Sequence, residues 1–246
     1  MTHFKDLVKR AEKRKGGKQM LNLLLPPILD RSLFKTQSSN VFLALMTKGV
    51  FQSGFVWRVI ENKWDNFETA FLNFDCQKLL SQPDEKWDAY AEDKSIVRNV
   101  IKIQTVRDNA EFILNVEQLE GKSFGQVLDE WPASDLIGLW DMMKKNGSRL
   151  GGMTGQYFLR RAGKDSFLLS QDVVRSLQEM RLDIKDNPTS KRDFKLIQQT
   201  LNEIHQKTKL PYTHISKILA YSSGENYEAE HIASETTRFE EKLITP

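Results

Sequence analysis

The chain has 246 residues, 39% of them apolar and 28% charged, with a formal net charge of +3 and an isoelectric point near 8.8. That is enough chain for one large core or two small ones. No run approaches the roughly 20 apolar residues that span a bilayer. The single cysteine, Cys76, excludes an internal disulfide and a multi-cysteine metal cluster and makes a cytoplasmic address the expectation.

Phe4, Leu7, Val8 and Ala11 recur at helical spacing among Lys and Arg, predicting an amphipathic helix ended by Gly16-Gly17. Met20 to Leu25 reads as a short apolar turn stopped by Pro26-Pro27. Ser38-Ser39-Asn40 can cap a helix over Val41 to Met46. The small and polar residues of Thr47 to Phe55 suit a pocket wall, with Gln52 offering an amide to a base edge, or a helix packing through Gly54. Trp57, Ile60 and Trp64 fall on one helical face, and Asn66 can cap Phe67 to Phe74. Short helices follow from Asp75 and from Pro83-Asp84. Asp93 to Asn99 links the second of these to a long helix with Ile103, Val106, Ala110 and Ile113 inward and Gly121 at its end.

Ser123 caps the next helix and Trp131-Pro132 stops it. Ser134 or Asp135 caps a helix with Leu136, Leu139, Trp140 and Met143 inward, and Lys144 and Lys145 complement its dipole. Tyr157 to Ala162, the stretch after Ser170, Phe194 to Ile204 and the segment after Pro211 complete the helices. No alternating strand pattern occurs, so the fold class is all-α, one domain over 1–222. Residues 223–246 read as a polar tail with too little apolar surface to fold alone.

Cations, glycines and aromatics alternate at helix starts between Arg98 and Leu177. Arg98, Asn99 and Lys102 stand at the mouth of the long helix. Arg149, Gly151, Gly152 and Lys164 stand in later turns. Backbone amides and Lys or Arg placed this way grip phosphate while a ring stacks on a base, although ordinary turns and caps use the same residues. The four histidines have no metal-ligand spacing.

The segments Phe51 to Phe55, Ile96 to Asn99, Lys102 to Gln104, Asp108 to Ala110 and Gly147 to Asp165 resemble the bacterial DNA-3-methyladenine glycosylase I family of the helix-hairpin-helix DNA glycosylase superfamily. The likeness covers about residues 40–180. A subgroup with longer ends also shares Lys15-Gly16-Gly17 and Pro188 to Asp193.

The resemblance implies two helical lobes around a cleft, and a monomer on double-stranded DNA containing alkylated bases. It implies an enzyme that flips the damaged nucleotide out and hydrolyses its N-glycosidic bond with an activated water. It gives a base pocket of Lys48, Phe51, Gln52, Trp57, Thr154 and Tyr157, Tyr157 being a stacker or a cleft-wall ring. Arg98, Asn99, Lys102, Arg149, Gly151, Gly152 and Lys164 would contact DNA. Asp172 and Asp165 are the catalytic candidates; each could equally cap a helix or end a turn. The family's pocket Glu falls on Gly49, and one of its zinc-binding His positions reads as Asp172, so no metal and no cofactor are expected. The alternative is a damaged-DNA-binding protein on the same fold that leaves the sugar–base bond intact.

Overall fold

Apolar residues recur at helical spacing along the chain, and every regular element among the described residues is a helix. The computed structural model describes residues 2–28 and 30–226. These form two compact units: residues 2–28, 133–137 and 165–226 make a terminal unit, and residues 30–132 and 138–164 a central one.

In chain order the helices are α1 (Thr2–Arg14), α2 (Lys18–Leu23), α3 (Arg31–Thr36), α4 (Ser39–Gln52), α5 (Trp57–Asn62), α6 (Trp64–Ala70), α7 (Cys76–Leu80), α8 (Asp84–Glu92), α9 (Val100–Glu120), α10 (Phe124–Glu130), α11 (Leu136–Asn146), α12 (Met153–Ala162), α13 (Gln171–Glu179), α14 (Lys191–Thr208) and α15 (Tyr212–Ser222). Single 3-10 turns sit at Leu72–Phe74 and Ala133–Asp135.

In the terminal unit α15 packs against α1, α13 and α14. It buries Ile215, Ile218 and Leu219 with Phe4, Leu7, Val173, Leu177 and Ile197. The C-terminal carbonyls of α15 and its exit are held by the Arg14 guanidinium, which donates to Tyr221, Ser223 and Gly224 at 2.9, 3.3 and 2.7 Å. Lys15 donates to Asn226 at 3.1 Å. Residues 223–226, expected to belong to a polar tail, are therefore fastened to the end of α1. The rest of that expected tail lies outside the described residues.

In the central unit α4 packs against α9 and α12. Its Phe42 meets Phe34, Phe124 and Phe158 edge-on, with ring centroids 5.8, 5.5 and 6.4 Å apart. Each ring so buried contributes roughly 1.5–3 kcal/mol through removal from water. The sequence pattern ends this helix near Met46, yet it runs on to Gln52. The small side of Gly49 lets α12 approach: a Cβ there would lie 3.6 Å from the Thr154 methyl, and Thr47 is buried beside it.

A second difference lies at Lys63, where α5 ends and α6 begins. Trp57, Ile60 and Trp64 thus do not share one continuous face, and Asn66 sits inside α6 instead of capping it. Both Lys63 and Asn66 have a different task. The Lys63 ammonium donates to the carbonyls of Lys94, Ser95 and Ile96 at 2.7, 2.9 and 3.3 Å, and the Asn66 amide to Ser95 at 3.2 Å. Together they pin the link between α8 and α9. Of the expected helix starts, Asp75, Ser123 and Ser170 each accept from a backbone N–H of the following helix, as Asn99 and Ser190 also do, whereas Ser38 stands before α4 without a side-chain cap bond.

Candidate functional site

Residues four apart on a helix stand on one face. Three helices of the central unit each turn one such pair toward the same place: Lys48 and Gln52 from α4, Trp57 and Glu61 from α5, Tyr157 and Arg161 from α12. Gln52 is the buried hub. Its Nε2 donates to Glu61 Oε1 at 2.9 Å, and its Oε1 accepts from Arg161 Nη1 at 2.7 Å. Glu61 Oε2 lies 3.3 Å from Lys48 Nζ.

The Arg161 guanidinium lies over the rings of Trp57 and Tyr157, at 5.0 and 5.7 Å from their centroids. Those rings meet edge-on, 6.5 Å apart at 88°. Burial pulls the Arg161 pKa down, while the Tyr157 and Glu61 charges oppose the shift. An arginine in this setting stays cationic. Lys48 Nζ also stands 4.7 Å above the Trp64 ring. Of the rings here, Trp57 is 44% exposed.

The expected pocket residues thus fall into distinct places. Lys48, Gln52, Trp57 and Tyr157 come together, and Thr154 lies one turn before Tyr157 against Gly49. Phe51 does not join them. It is fully buried edge-on to Phe67 at 4.7 Å and belongs to the core. The Gln52 amide, expected to read a base edge, has both ends engaged by protein.

Among the expected phosphate contacts, Arg98 and Arg149 are exposed and Gly152 is open to solvent. Arg149 and Gly152 both have positive φ, +57° and +58°. Asn109, buried on α9, clamps this turn: its Oδ1 accepts from Ser148 N at 2.8 Å and its Nδ2 donates to Ser148 O at 3.1 Å. Gly151 leans on the aliphatic stem of Lys144. Asn99 caps α9, accepting from Lys102 N at 3.1 Å.

Two lysines correct the expectation of an outward cation. Lys102 is buried, and its ammonium donates to the carbonyls of Phe51 and Ser53 at 3.1 and 2.6 Å, closing the end of α4. Burial and the nearby Arg149 charge pull its pKa down. Lys164 is also buried and donates to the carbonyls of Leu128, Asp129 and Trp131 at 2.6, 3.1 and 2.8 Å, closing the end of α10. A helix C-terminus presents orphan carbonyls and a negative dipole end, so an ammonium settles there in preference to reaching solvent.

Both catalytic candidates belong to the terminal unit and act as helix-start groups. Asp165 accepts from the backbone N–H of Tyr212 at 3.1 Å and of Thr213 at 2.8 Å, capping α15. Asp172 sits in the first turn of α13, 3.7 Å from Arg175, with Gly224 pressed against its carboxylate. Among the described residues, no group of three or more His, Cys, Asp or Glu is placed to hold a metal ion, and no helix is long and apolar enough to cross a membrane.

Residues 33–147 match the family model described as methyladenine glycosylase. Over that stretch the chain is similar to the methyladenine glycosylases. That match includes Lys48, Gln52, Trp57, Glu61 and Lys102, while Tyr157 and Arg161 lie beyond its end. The curated DNA-3-methyladenine glycosylase 1 of Escherichia coli (strain K12) is 30% identical over 84 residues, 34% of this chain and 44% of that protein. This chain therefore spans under half the length of that curated relative.

Two solved structures are also similar. A 3-methyladenine DNA glycosylase I from Staphylococcus aureus is 24% identical, covering 54% of this chain and 81% of the other with a TM-score of 0.46. A Methanocaldococcus jannaschii 8-oxoguanine glycosylase/lyase, solved with 15mer DNA containing 8-oxoguanine, is 16% identical, covering 87% and 95% with a TM-score of 0.48.

Sequence reasoning missed Glu61, Arg161 and Asn109. The first two had a readable signal: each stands four residues after an aromatic already singled out, Trp57 and Tyr157, and so on the same helical face.

Proposed function

We propose that the chain is a monofunctional DNA N-glycosylase that removes an alkylated purine, 3-methyladenine, from double-stranded DNA after turning the nucleotide out of the helix. The observation that carries this reading is the half-exposed Trp57 ring beside Tyr157, backed by the Gln52, Glu61 and Arg161 network, in a stretch similar to methyladenine glycosylases. An extruded base stacks on such a ring with about 1–3 kcal/mol of attraction.

The reaction is a hydrolysis. Water adds at the sugar C1′ as the C1′–N bond breaks, the bonding electrons go to the base, and the water's second proton passes to solvent or a base. N3-methylation has already placed positive charge on the purine, so it departs neutral without being protonated. The protein's contribution is then selection and positioning.

A non-cleaving binder of damaged DNA is the second reading. It is favoured by the two aspartates, Asp165 and Asp172, which are engaged at helix starts, leaving neither as an evident activator of water.

Incubating the purified chain with methylated duplex DNA separates the two. Released 3-methyladenine and matching abasic sites are expected, falling by at least about 100-fold in Trp57→Ala. Retention of the DNA with no released base would establish the binder instead. Arg149→Glu should weaken duplex binding roughly tenfold and reduce the salt slope by about one counterion with unchanged melting, since Arg149 is exposed. Fluorescence anisotropy at several salt concentrations measures this, and an unchanged slope would remove Arg149 from the DNA face.

A further inference from the structure

The start of the chain carries more positive charge than the whole of it. Residues 2–18 hold seven Lys or Arg and two acidic residues, a formal +5 against +3 for all 246 residues. The structure sorts these cations. Arg10 pairs with Glu179 of α13, Arg14 holds the exit of α15, and Lys15 is buried with its ammonium on Asn226. Lys5, Lys9 and Lys13 are left outside. All three are exposed, and none forms an ion pair with a described residue.

A spacing of four puts the three lysines in one stripe along α1, away from its buried Phe4, Leu7 and Ala11. At 1.5 Å of rise per residue the stripe is about 12 Å long. Among the described residues nothing rewards that arrangement. Like charges four apart on a helix repel. Lys13 lies in the last turn, where it complements the dipole, but Lys5 stands toward the opposite end, where a cation is disfavoured. Solubility is served by mixed signs better than by a row of one sign.

We propose that Lys5, Lys9 and Lys13 form a second grip on duplex DNA, contacting phosphates of one strand without regard to base sequence. This rests on the reading above that the chain binds duplex DNA. One strand presents a phosphate about every 3.4 Å along the axis, so a stripe of about 12 Å spans three to four of them. An ammonium on a flexible stem meets a phosphate without a fixed geometry and releases a condensed counterion as it does so. The stripe belongs to the terminal unit, so its contribution adds to that of Arg149 in the central one.

Fluorescence anisotropy on an undamaged duplex over a range of salt concentrations tests this, comparing the full chain with the triple variant Lys5→Gln, Lys9→Gln, Lys13→Gln. The salt slope should fall by about 2–3, and binding at the lowest salt should weaken at least about tenfold. Glutamine keeps the helix propensity of lysine, so melting should not drop. Lys9→Gln alone should lower the slope by about 0.9. An unchanged slope in the triple variant, with the unaltered chain still binding, overturns the stripe and leaves the N-glycosylase reading standing. Binding to phosphatidylserine-containing vesicles that is lost in the triple variant, with its DNA slope unchanged, would overturn it in favour of a membrane surface. Absence of salt-dependent DNA binding by the unaltered chain removes the DNA reading, and the stripe's role with it.

Discussion

Lys164→Met should lower the stability of the central unit by about 3 kcal/mol, the scale at which a buried charged donor is withdrawn from its acceptors. Met fills much of the space of the lysine stem, so the loss isolates the ammonium. Three carbonyls, those of Leu128, Asp129 and Trp131, would lose the donor that closes α10. For a chain of this size that corresponds to a melting temperature lower by about 10 °C. Thermal or urea denaturation reads it directly. The salt slope of DNA binding by the folded variant should stay the same, because the ammonium lies inside the protein. Unchanged stability with a shallower slope would restore Lys164 to the DNA face. Lys102→Met tests the same physics at the end of α4, where the acceptors are Phe51 and Ser53.

Gly155→Ala should destabilise the chain by about 2–3 kcal/mol, opposite to what helix propensity alone predicts. Gly155 lies within α12, and an alanine in a helix interior is ordinarily about 1 kcal/mol better than glycine. Here an added Cβ would lie 2.2 Å from the Leu150 carbonyl oxygen and 3.2 Å from the Met143 methyl. The first of these is backbone and cannot swing aside, so the start of α12 must shift. Thr154 and Tyr157 sit on that turn and would move with it. Gly49→Ala is the control: its Cβ finds only the Thr154 methyl at an ordinary 3.6 Å, so it should stabilise by up to about 1 kcal/mol. Melting curves of the two variants should move in opposite directions. Equal shifts would mean that α12 does not approach Leu150 as closely as described.

Local chemistry was readable along much of the chain. Gly121 ends α9 with φ +62° because only a residue without Cβ takes that conformation cheaply. Ser123 and Gln126 form a reciprocal capping box that the residue types announce. The misreadings came where a distant segment decided the outcome. Thr47 to Gln52 looks too polar for a core helix until Thr154 and Arg161 arrive against it. Asn66 looks like a cap until the link before α9 offers it, and Lys63 beside it, carbonyls.

The existence of most helices, and hence the all-α class, lay in the sequence, because caps, glycines and the 3.6-residue period act over a few neighbouring residues. Trp57 and Tyr157 could be singled out as pocket residues through the family resemblance, which short local segments carry. The fate of each charge was decided only in three dimensions. Lys102, Lys164 and Asp165 turn inward to helix ends, Arg149 stays outside, and Glu61 joins Lys48 and Gln52. Burial of an ionised group depends on whether an oppositely polarised partner waits there, and for Lys102, Lys164 and Asp165 that partner comes from some 30 to 50 residues away in the chain.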